Sequence, residues 1–241
     1  MQQGNQASNS GIFTGPAIIL AGGLGTRLRS VVAELPKCMA PVNGRPFIGY
    51  VTDYLLSQGI TRFIFALGYK SEAFDTFLTT LPSSVQYRLS VEDEPLGTGG
   101  AIQLACSKAA GNQVLVTNGD TLFKVDVQQL FSFHLQHKAA CTLSLKPMQF
   151  FERYGVVETN QHALVQSFKE KQLYEQGLIN GGVYLLDKNR FLQHAFPAKF
   201  SFEKDYLEKY VGKNNMYGRI EDEYFIDIGI PEDYERAQTE L

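Results

Sequence analysis

The chain has 241 residues, 44% of them hydrophobic, and a formal net charge of −3. That length and composition suit one α/β domain with a full core. The acidic balance argues against a nucleic-acid binder, which shows a basic face, but leaves room for a local cationic pocket able to hold small phosphates.

Cys38, Cys106 and Cys141 are widely spaced and form no CxxC pair. A disulfide framework or zinc site is not expected, and reduced thiols in a cytoplasmic protein are. No apolar run reaches the length of a membrane span. The polar start lacks the charged and apolar regions of a signal peptide. Residues 1–13 read as a mobile extension, and 14–241 as a single domain.

In chain order, Ala17–Leu20 reads as a buried strand that runs into a glycine-rich loop, Ala21–Arg27. Pro46 suits a first helical turn. Phe47, Val51, Tyr54 and Leu55 follow at helical spacing, and Gly59 can close that helix. Arg62–Leu67 and Val85–Val91 are predicted strands, Thr98–Ala109 a helix, and Gln113–Thr117 a strand ending at Asn118-Gly119-Asp120. Strand and helix alternating at this rhythm predict right-handed crossovers and a mostly parallel sheet flanked by helices. Ligands of such sheets bind beyond the carboxyl ends of the strands. The glycine loop and Asp120 both lie at those ends.

The second half is less regular. Cys141–Lys146 reads as a strand, Tyr154–Thr159 and Leu164–Lys169 as an antiparallel pair, and Leu178–Leu186 as a strand broken by two glycines. Phe202–Val211 reads as a helix capped by Ser201. Tyr224–Ile228 is a late strand and Pro231–Gln238 a terminal helix. With no Pro/Gly/Ser linker in view, this half is expected to embed a small β lobe in the same domain.

Gly22, Gly23 and Gly25 let backbone N–H groups approach a phosphate closely, and Arg27 can neutralise its oxygens. Two rival motifs fail. The dinucleotide fingerprint needs a third glycine where Leu28 stands, and the Walker A loop needs Gly-Lys-Ser/Thr, which is absent. His134, His137, His162 and His194 are scattered and receive no catalytic role.

Leu20-Ala21-Gly22-Gly23-Leu24-Gly25-Thr26-Arg27-Leu28, with Pro36-Lys37 and Ala40-Pro41-Val42, resembles the pyrophosphorylase signature of sugar-1-phosphate nucleotidyltransferases. The resemblance runs from residue 17 to about 238. It takes in Glu94–Gly100, Asn118-Gly119-Asp120, Phe168–Lys171, Asn180-Gly181-Gly182 and Phe225–Gly229. Cys38 departs from it, since the family usually has proline after the lysine, and is expected to loosen that turn. EDEPLGTGGAI, RYGVVE, GLINGGVYLL and YFIDIGIPEDY carry a narrower resemblance to heptose 1-phosphate guanylyltransferases.

The resemblance implies a Rossmann-like, GT-A-like fold and transfer of a nucleotidyl group to a sugar 1-phosphate with release of pyrophosphate. It implies that Leu20, Ala21, Gly22, Gly23, Gly25 and Thr26 cradle the nucleotide, with Asn118 and Gly119 beside them. Arg27 and Lys37 would stand at the triphosphate. Gly97 would let the base lie against backbone, flanked by Thr98, and Glu92 would accept from guanine. Gly155, Glu170, Lys171 and Asn180 would hold the sugar phosphate. Asp120 and Asp227 would be ligands of Mg²⁺, which prefers oxygen donors and needs only one or two carboxylates beside phosphate. With Arg27 and Lys37, Asp120 would be catalytic.

The expected partners are GTP or another nucleoside triphosphate, a sugar 1-phosphate, the nucleotide sugar and pyrophosphate. Neither nucleic acid nor a membrane is among them, and a homodimer is the candidate assembly. GTP with a manno-heptose 1-phosphate leads. Mannose 1-phosphate, other hexose 1-phosphates with UTP or dTTP, and a non-catalytic nucleotide-sugar-binding subunit are the alternatives.

Overall fold

The computed structural model describes residues 11–23, 28, 35–68 and 70–241. Its elements, in chain order, begin with β1 (Ala17–Leu20), a 3₁₀ turn at Lys37–Met39, and the short strands β2 (Pro41–Val42) and β3 (Arg45–Pro46). Then come α1 (Phe47–Ser57), β4 (Arg62–Leu67), α2 (Asp75–Thr79), β5 (Gln86–Val91), α3 (Gly97–Lys108) and β6 (Gln113–Asn118). The later part holds β7 (Thr121–Phe123), α4 (Val127–Gln136), β8 (Cys141–Phe151), β9 (Val157–Thr159), β10 (Val165–Phe168) and β11 (Tyr174–Asp187). It ends with α5 (Lys188–Leu192), a π-helix at Phe202–Glu208, β12 (Met216–Ile220), β13 (Phe225–Asp227) and α6 (Pro231–Glu240).

Seven strands form one sheet in the order β12-β8-β11-β6-β1-β4-β5. β6, β1, β4 and β5 pair in parallel, as the alternation of strands and helices requires. β11 is antiparallel to both its neighbours, and β12 pairs with β8 in parallel. The sheet is therefore mixed but mostly parallel, the predicted class.

Both of its faces are covered, so the central strands read as unbroken apolar runs rather than alternating ones. Ile19, Phe63, Phe65 and Leu115 enter one core with α1, while Ile18, Ile64, Val114 and Val116 enter the other with α3 and the π-helix. The period-two alternation is present in space and hidden in the sequence.

The expected close of α1 is found. Gly59 N–H donates to the Leu56 carbonyl at 2.9 Å and Ile60 N–H to Leu55 at 3.0 Å. Phe13, assigned from sequence to the extension, belongs to the core instead. Its ring meets Phe131 edge-on at 5.2 Å, and its N–H donates to Gln128 Oε1 at 2.7 Å. A lone aromatic in a polar stretch gives no periodic signal, yet burying it stabilises the fold.

The embedded lobe grows from the overhang of β8 and β11. β9 and β10 pair antiparallel, as expected, and dock on β11 through the Val156–Ile179 bridge. The pairing of β11 with β8 shifts between Asn180 and Tyr184, at the two glycines. Asn180 braces that bulge, accepting from Gly182 N–H at 3.1 Å and donating to the Tyr184 hydroxyl at 2.8 Å. Ser201 caps the helix after it, accepting from Lys204 N–H at 3.2 Å. That helix is π-wound over Phe202–Glu208, and it buries Phe202, Tyr206 and Leu207 together.

No helix among the described residues is long and apolar enough to cross a membrane. All three cysteines are free and buried, and burial pushes the Cys106 thiol up to about 12, so none is a ready nucleophile.

His134 is buried, with Nδ1 2.9 Å from Thr142 Oγ1. Burial pushes its imidazole down to about 4, with Asp187 pulling the other way. The unfolded chain takes up a proton near the ordinary value of 6.5, while the folded chain stays neutral until about pH 4. Stability is therefore lost as pH falls through that window. The unfolding free energy from urea denaturation should fall more between about pH 7.5 and 4.5 for the unaltered chain than for His134→Gln, by on the order of 1–3 kcal/mol. Parallel profiles would show that this imidazole charges freely in the fold.

Candidate functional site

β1 and β6 lie side by side, with Leu20 opposite Asn118. Their carboxyl ends form the floor of a cleft of about 310 Å³. The cleft gathers most of the expected nucleotide residues, Leu20, Ala21, Gly22, Gly23, Lys37, Glu92, Gly97, Thr98 and Asn118, with Asp120, expected as a metal ligand, beside them. Gly119 stands behind the lining, its N–H donating to the Leu20 carbonyl at 2.8 Å, so it joins the two strand ends. Gly25, Thr26 and Arg27 lie outside the described residues.

A second cleft, of about 570 Å³, opens between the β lobe and the π-helix. Gly155, Glu170, Lys171 and Asn180, the four residues assigned from sequence to the sugar phosphate, line it together with Asp227, assigned to the metal. Asn118 and Glu203 line both clefts.

Lys37, in the lining of the first cleft, reaches one acid of each cleft, Asp120 of the first and Asp227 of the second. The turn that carries the lysine is closed by Met39 N–H to Pro36 O at 2.8 Å and Ala40 N–H to Lys37 O at 3.0 Å. Cys38 therefore does not loosen it; the buried thiol sits against the Ala21 carbonyl at 3.7 Å. Lys37 Nζ donates to Asp120 Oδ2 at 2.6 Å and to Asp227 Oδ1 at 3.2 Å. Burial alone would pull the Lys37 ammonium down, but the two carboxylates and their hydrogen bonds outweigh it and hold it above its ordinary value.

Asp227 comes from β13, which pairs antiparallel with β7, the strand that follows Asp120. Ile228 N–H donates to the Asp120 carbonyl at 3.1 Å, which fixes the two acids on adjoining backbone. Among the described residues, no group of three or more His, Cys, Asp or Glu side chains could hold a metal ion by itself. Two carboxylates reaching a single cation are nevertheless the donor set magnesium takes when phosphate supplies other ligands.

Sequence reasoning missed three residues here. The Tyr154 hydroxyl donates to Asp227 Oδ2 at 3.2 Å and accepts from Arg153 at 3.0 Å. Arg153 is in turn paired with Asp233 of α6. Burial, and then the neighbouring Asp227 charge, push the Tyr154 phenol well above its ordinary value, so it stays a donor. Its only sequence signal was its place beside Gly155. Gly229 is the second: a Cβ there would lie 2.9 Å from Asp227 Oδ1 and 3.0 Å from Lys37 Nζ.

Glu203 is the third. Its Oε2 accepts from Thr98 Oγ1 at 2.8 Å and from Ser201 Oγ at 3.0 Å. An acid in the first turn of a helix reads from sequence as a dipole partner, which concealed its position between the clefts.

Three of the expected residues also have structural tasks of their own. Gly97 has φ +72°, and a Cβ there would lie 2.5 Å from the Phe200 carbonyl. It is glycine because the segment before the π-helix seats on it, whatever lies in the cleft. Gly155 likewise backs onto the Lys169 carbonyl, which a Cβ would approach to 2.3 Å. Glu92 holds its own loop, accepting from Leu96 N–H at 2.9 Å. Burial moves its carboxyl above the ordinary range despite that bond.

Known proteins resemble the chain along nearly its whole length. The profile described as "Nucleotidyl transferase" matches residues 16–241. The D-glycero-alpha-D-manno-heptose 1-phosphate guanylyltransferase of Aneurinibacillus thermoaerophilus is 51% identical over 225 residues, 93% of this chain and 97% of that protein. The protein of the same name from Campylobacter jejuni is 46% identical over 90% of this chain and 96% of its own. The crystal structure of HddC from Yersinia pseudotuberculosis complexed with GMP-PN superposes with a TM-score of 0.85 at 36% identity, over 94% of this chain and 99% of that one.

The glycines permit a stability test. Gly97→Ala should lower the unfolding free energy by at least about 2 kcal/mol, from strain at positive φ and the Phe200 clash. Gly23, with nothing within 4 Å of its Cβ position, should accept alanine within about 0.5 kcal/mol. Urea denaturation of both variants decides, and equal effects would remove the packing explanation for Gly97.

Proposed function

The chain belongs to the nucleotidyl transferase family, and from that premise we propose that it joins GTP to D-glycero-α-D-manno-heptose 1-phosphate, yielding GDP-heptose and pyrophosphate. The observation that carries the choice of substrates is the 51% identity, over 93% of the chain, to a heptose 1-phosphate guanylyltransferase. The meeting of two clefts at one charged cluster supports the reaction type.

In this reading the first cleft takes GTP and the second takes the heptose phosphate. An oxygen of the sugar phosphate attacks the α-phosphorus, the bond from that phosphorus to the β-phosphate bridging oxygen breaks, and pyrophosphate leaves. A phosphate monoester is already anionic at neutral pH, so no general base is needed. Catalysis then rests on positioning and on neutralising charge between two anions.

Lys37 neutralises the α-phosphate side, with Arg27 assigned to the departing pyrophosphate. Gly22 and Gly23 offer backbone to the phosphates, and Asn118 stands where the clefts join. Gly97 and Thr98 flank the base, and Glu92, whose Oε2 holds Leu96 N–H, would turn its other oxygen to guanine N–H groups. Lys171 neutralises the acceptor phosphate, and Glu170 accepts from sugar hydroxyls. Asn180 acts through the bulge it braces.

Asp120 and Asp227 would hold a magnesium ion, which when bound adds positive charge beside the transferring phosphorus. Tyr154, donating to Asp227, orients that carboxylate. GTP and a sugar 1-phosphate are both soluble, and this reading puts the reaction in the cytoplasm.

The test is competition among GTP, ATP, UTP and dTTP, each against heptose 1-phosphate and mannose 1-phosphate, with pyrophosphate release as the readout. GTP should exceed ATP by at least about a hundredfold in kcat/KM, because adenine leaves buried acceptors unpaired. The heptose should exceed mannose by about tenfold, a single hydroxymethyl group's worth. Robust product with UTP or dTTP and none with GTP would overturn the guanylyl assignment and leave nucleotidyl transfer standing.

A further inference from the structure

Resting on that reading, with Asp120 and Asp227 as the pair that holds the metal, we propose that Lys37 is an exchangeable internal cation. Its ammonium keeps the place between the two carboxylates until the triphosphate draws it away. Uptake of the divalent ion is thereby coupled to arrival of the nucleotide.

The four carboxylate oxygens already have protein donors. Lys37 Nζ serves Asp120 Oδ2 at 2.6 Å and Asp227 Oδ1 at 3.2 Å. Thr121 Oγ1 serves Asp120 Oδ1 at 3.4 Å, and the Tyr154 hydroxyl serves Asp227 Oδ2 at 3.2 Å. A metal ion held between the two acids, on the oxygens that they offer to one cation, would take the place of the ammonium. Cation and ammonium cannot share them, since like charges so close repel strongly in a partly buried site. One has to leave.

The packing fixes the direction in which the ammonium goes. Gly229 bounds it on one side so tightly that even a methyl group would sit 3.0 Å from Nζ. Lys37 lines the first cleft, with Gly22 and Gly23, and is absent from the lining of the second. A swing of Nζ off the carboxylates therefore enters the space where triphosphate oxygens offer it new anions. The exchange conserves pairing: the carboxylates trade a monovalent cation for a divalent one, and the ammonium trades carboxylate for phosphate. Without phosphate, the other carboxylates of that cleft among the described residues are engaged elsewhere, Glu92 with Leu96 N–H and Glu203 with the Thr98 and Ser201 hydroxyls.

The test uses Mn²⁺ alone, with no nucleotide, on the full chain, and reads free Mn²⁺ by electron paramagnetic resonance. Lys37→Met should bind Mn²⁺ at least about tenfold more tightly than the unaltered chain, because the competing cation is gone. Its melting temperature should also rise more on Mn²⁺ addition. Lys37→Gln, which keeps a neutral donor for one carboxylate, carries the same expectation in a less disturbed site. Equal or weaker Mn²⁺ binding in both variants would overturn the exchange. The double variant Lys37→Met/Asp120→Asn separates this from failure of the metal assignment. Loss of the gain there supports the exchange, and a gain that survives means the ion sits elsewhere, so that the assignment of Asp120 itself fails.

Discussion

One ammonium group held between two carboxylates organises this molecule. Asp120 lies just beyond β6 and Asp227 ends β13, more than a hundred residues later, and Lys37 brings them to one point. Several neighbours hold that arrangement. β13 pairs with β7 so that the second acid lies beside the first. Tyr154 holds the far side of Asp227, and Arg153 ties Tyr154 to Asp233 of the terminal helix. Gly229 is small because the charged pair occupies the space a side chain would need. Two like charges this close are costly without a cation between them, so the cluster constrains the fold as much as it furnishes a site.

The two clefts on either side are built differently. The first rests on the parallel half of the sheet, where strand ends bring backbone and small residues together, a surface suited to phosphate and a flat base. The second is framed by the β lobe and the π-helix, and it is lined by charged side chains of both signs, among them Lys169, Glu170, Lys171 and Lys204. The Gly97–Gly100 segment links them structurally. Gly99 N–H donates to the Phe200 carbonyl at 3.0 Å, and Thr98 accepts from Phe202 N–H at 2.9 Å. The loop of the first cleft and the helix of the second are therefore seated on one another through the same few residues that carry Glu203.

Much of this was legible in the sequence, and for a physical reason. Strands buried on both faces leave apolar runs, and β1, β4 and β6 are found where those runs stand. Acids and glycines at strand ends mark a rim, so the glycine loop and Asp120 were placed on it, and Gly22, Gly23 and Asp120 do line one cleft. β7, α4 and β12 escaped notice because short or half-exposed elements carry weak periodicity. Tyr154 and Gly229 escaped for another reason: their parts depend on contacts with Asp227 and Lys37 that only tertiary structure creates. Gly97 was recognised as required, but its requirement comes from the Phe200 carbonyl, over a hundred residues away.

The central claim is that the two substrates react where the clefts meet, at Lys37, Asp120 and Asp227. A crystal structure of the chain with Mn²⁺, a non-hydrolysable GTP analogue and heptose 1-phosphate tests it most directly. The expected result puts an acceptor phosphate oxygen about 3–3.5 Å from the α-phosphorus, in line with the leaving oxygen and beside this cluster. An α-phosphate or acceptor phosphate bound away from these three residues, with Lys37 still bridging the carboxylates, would contradict it.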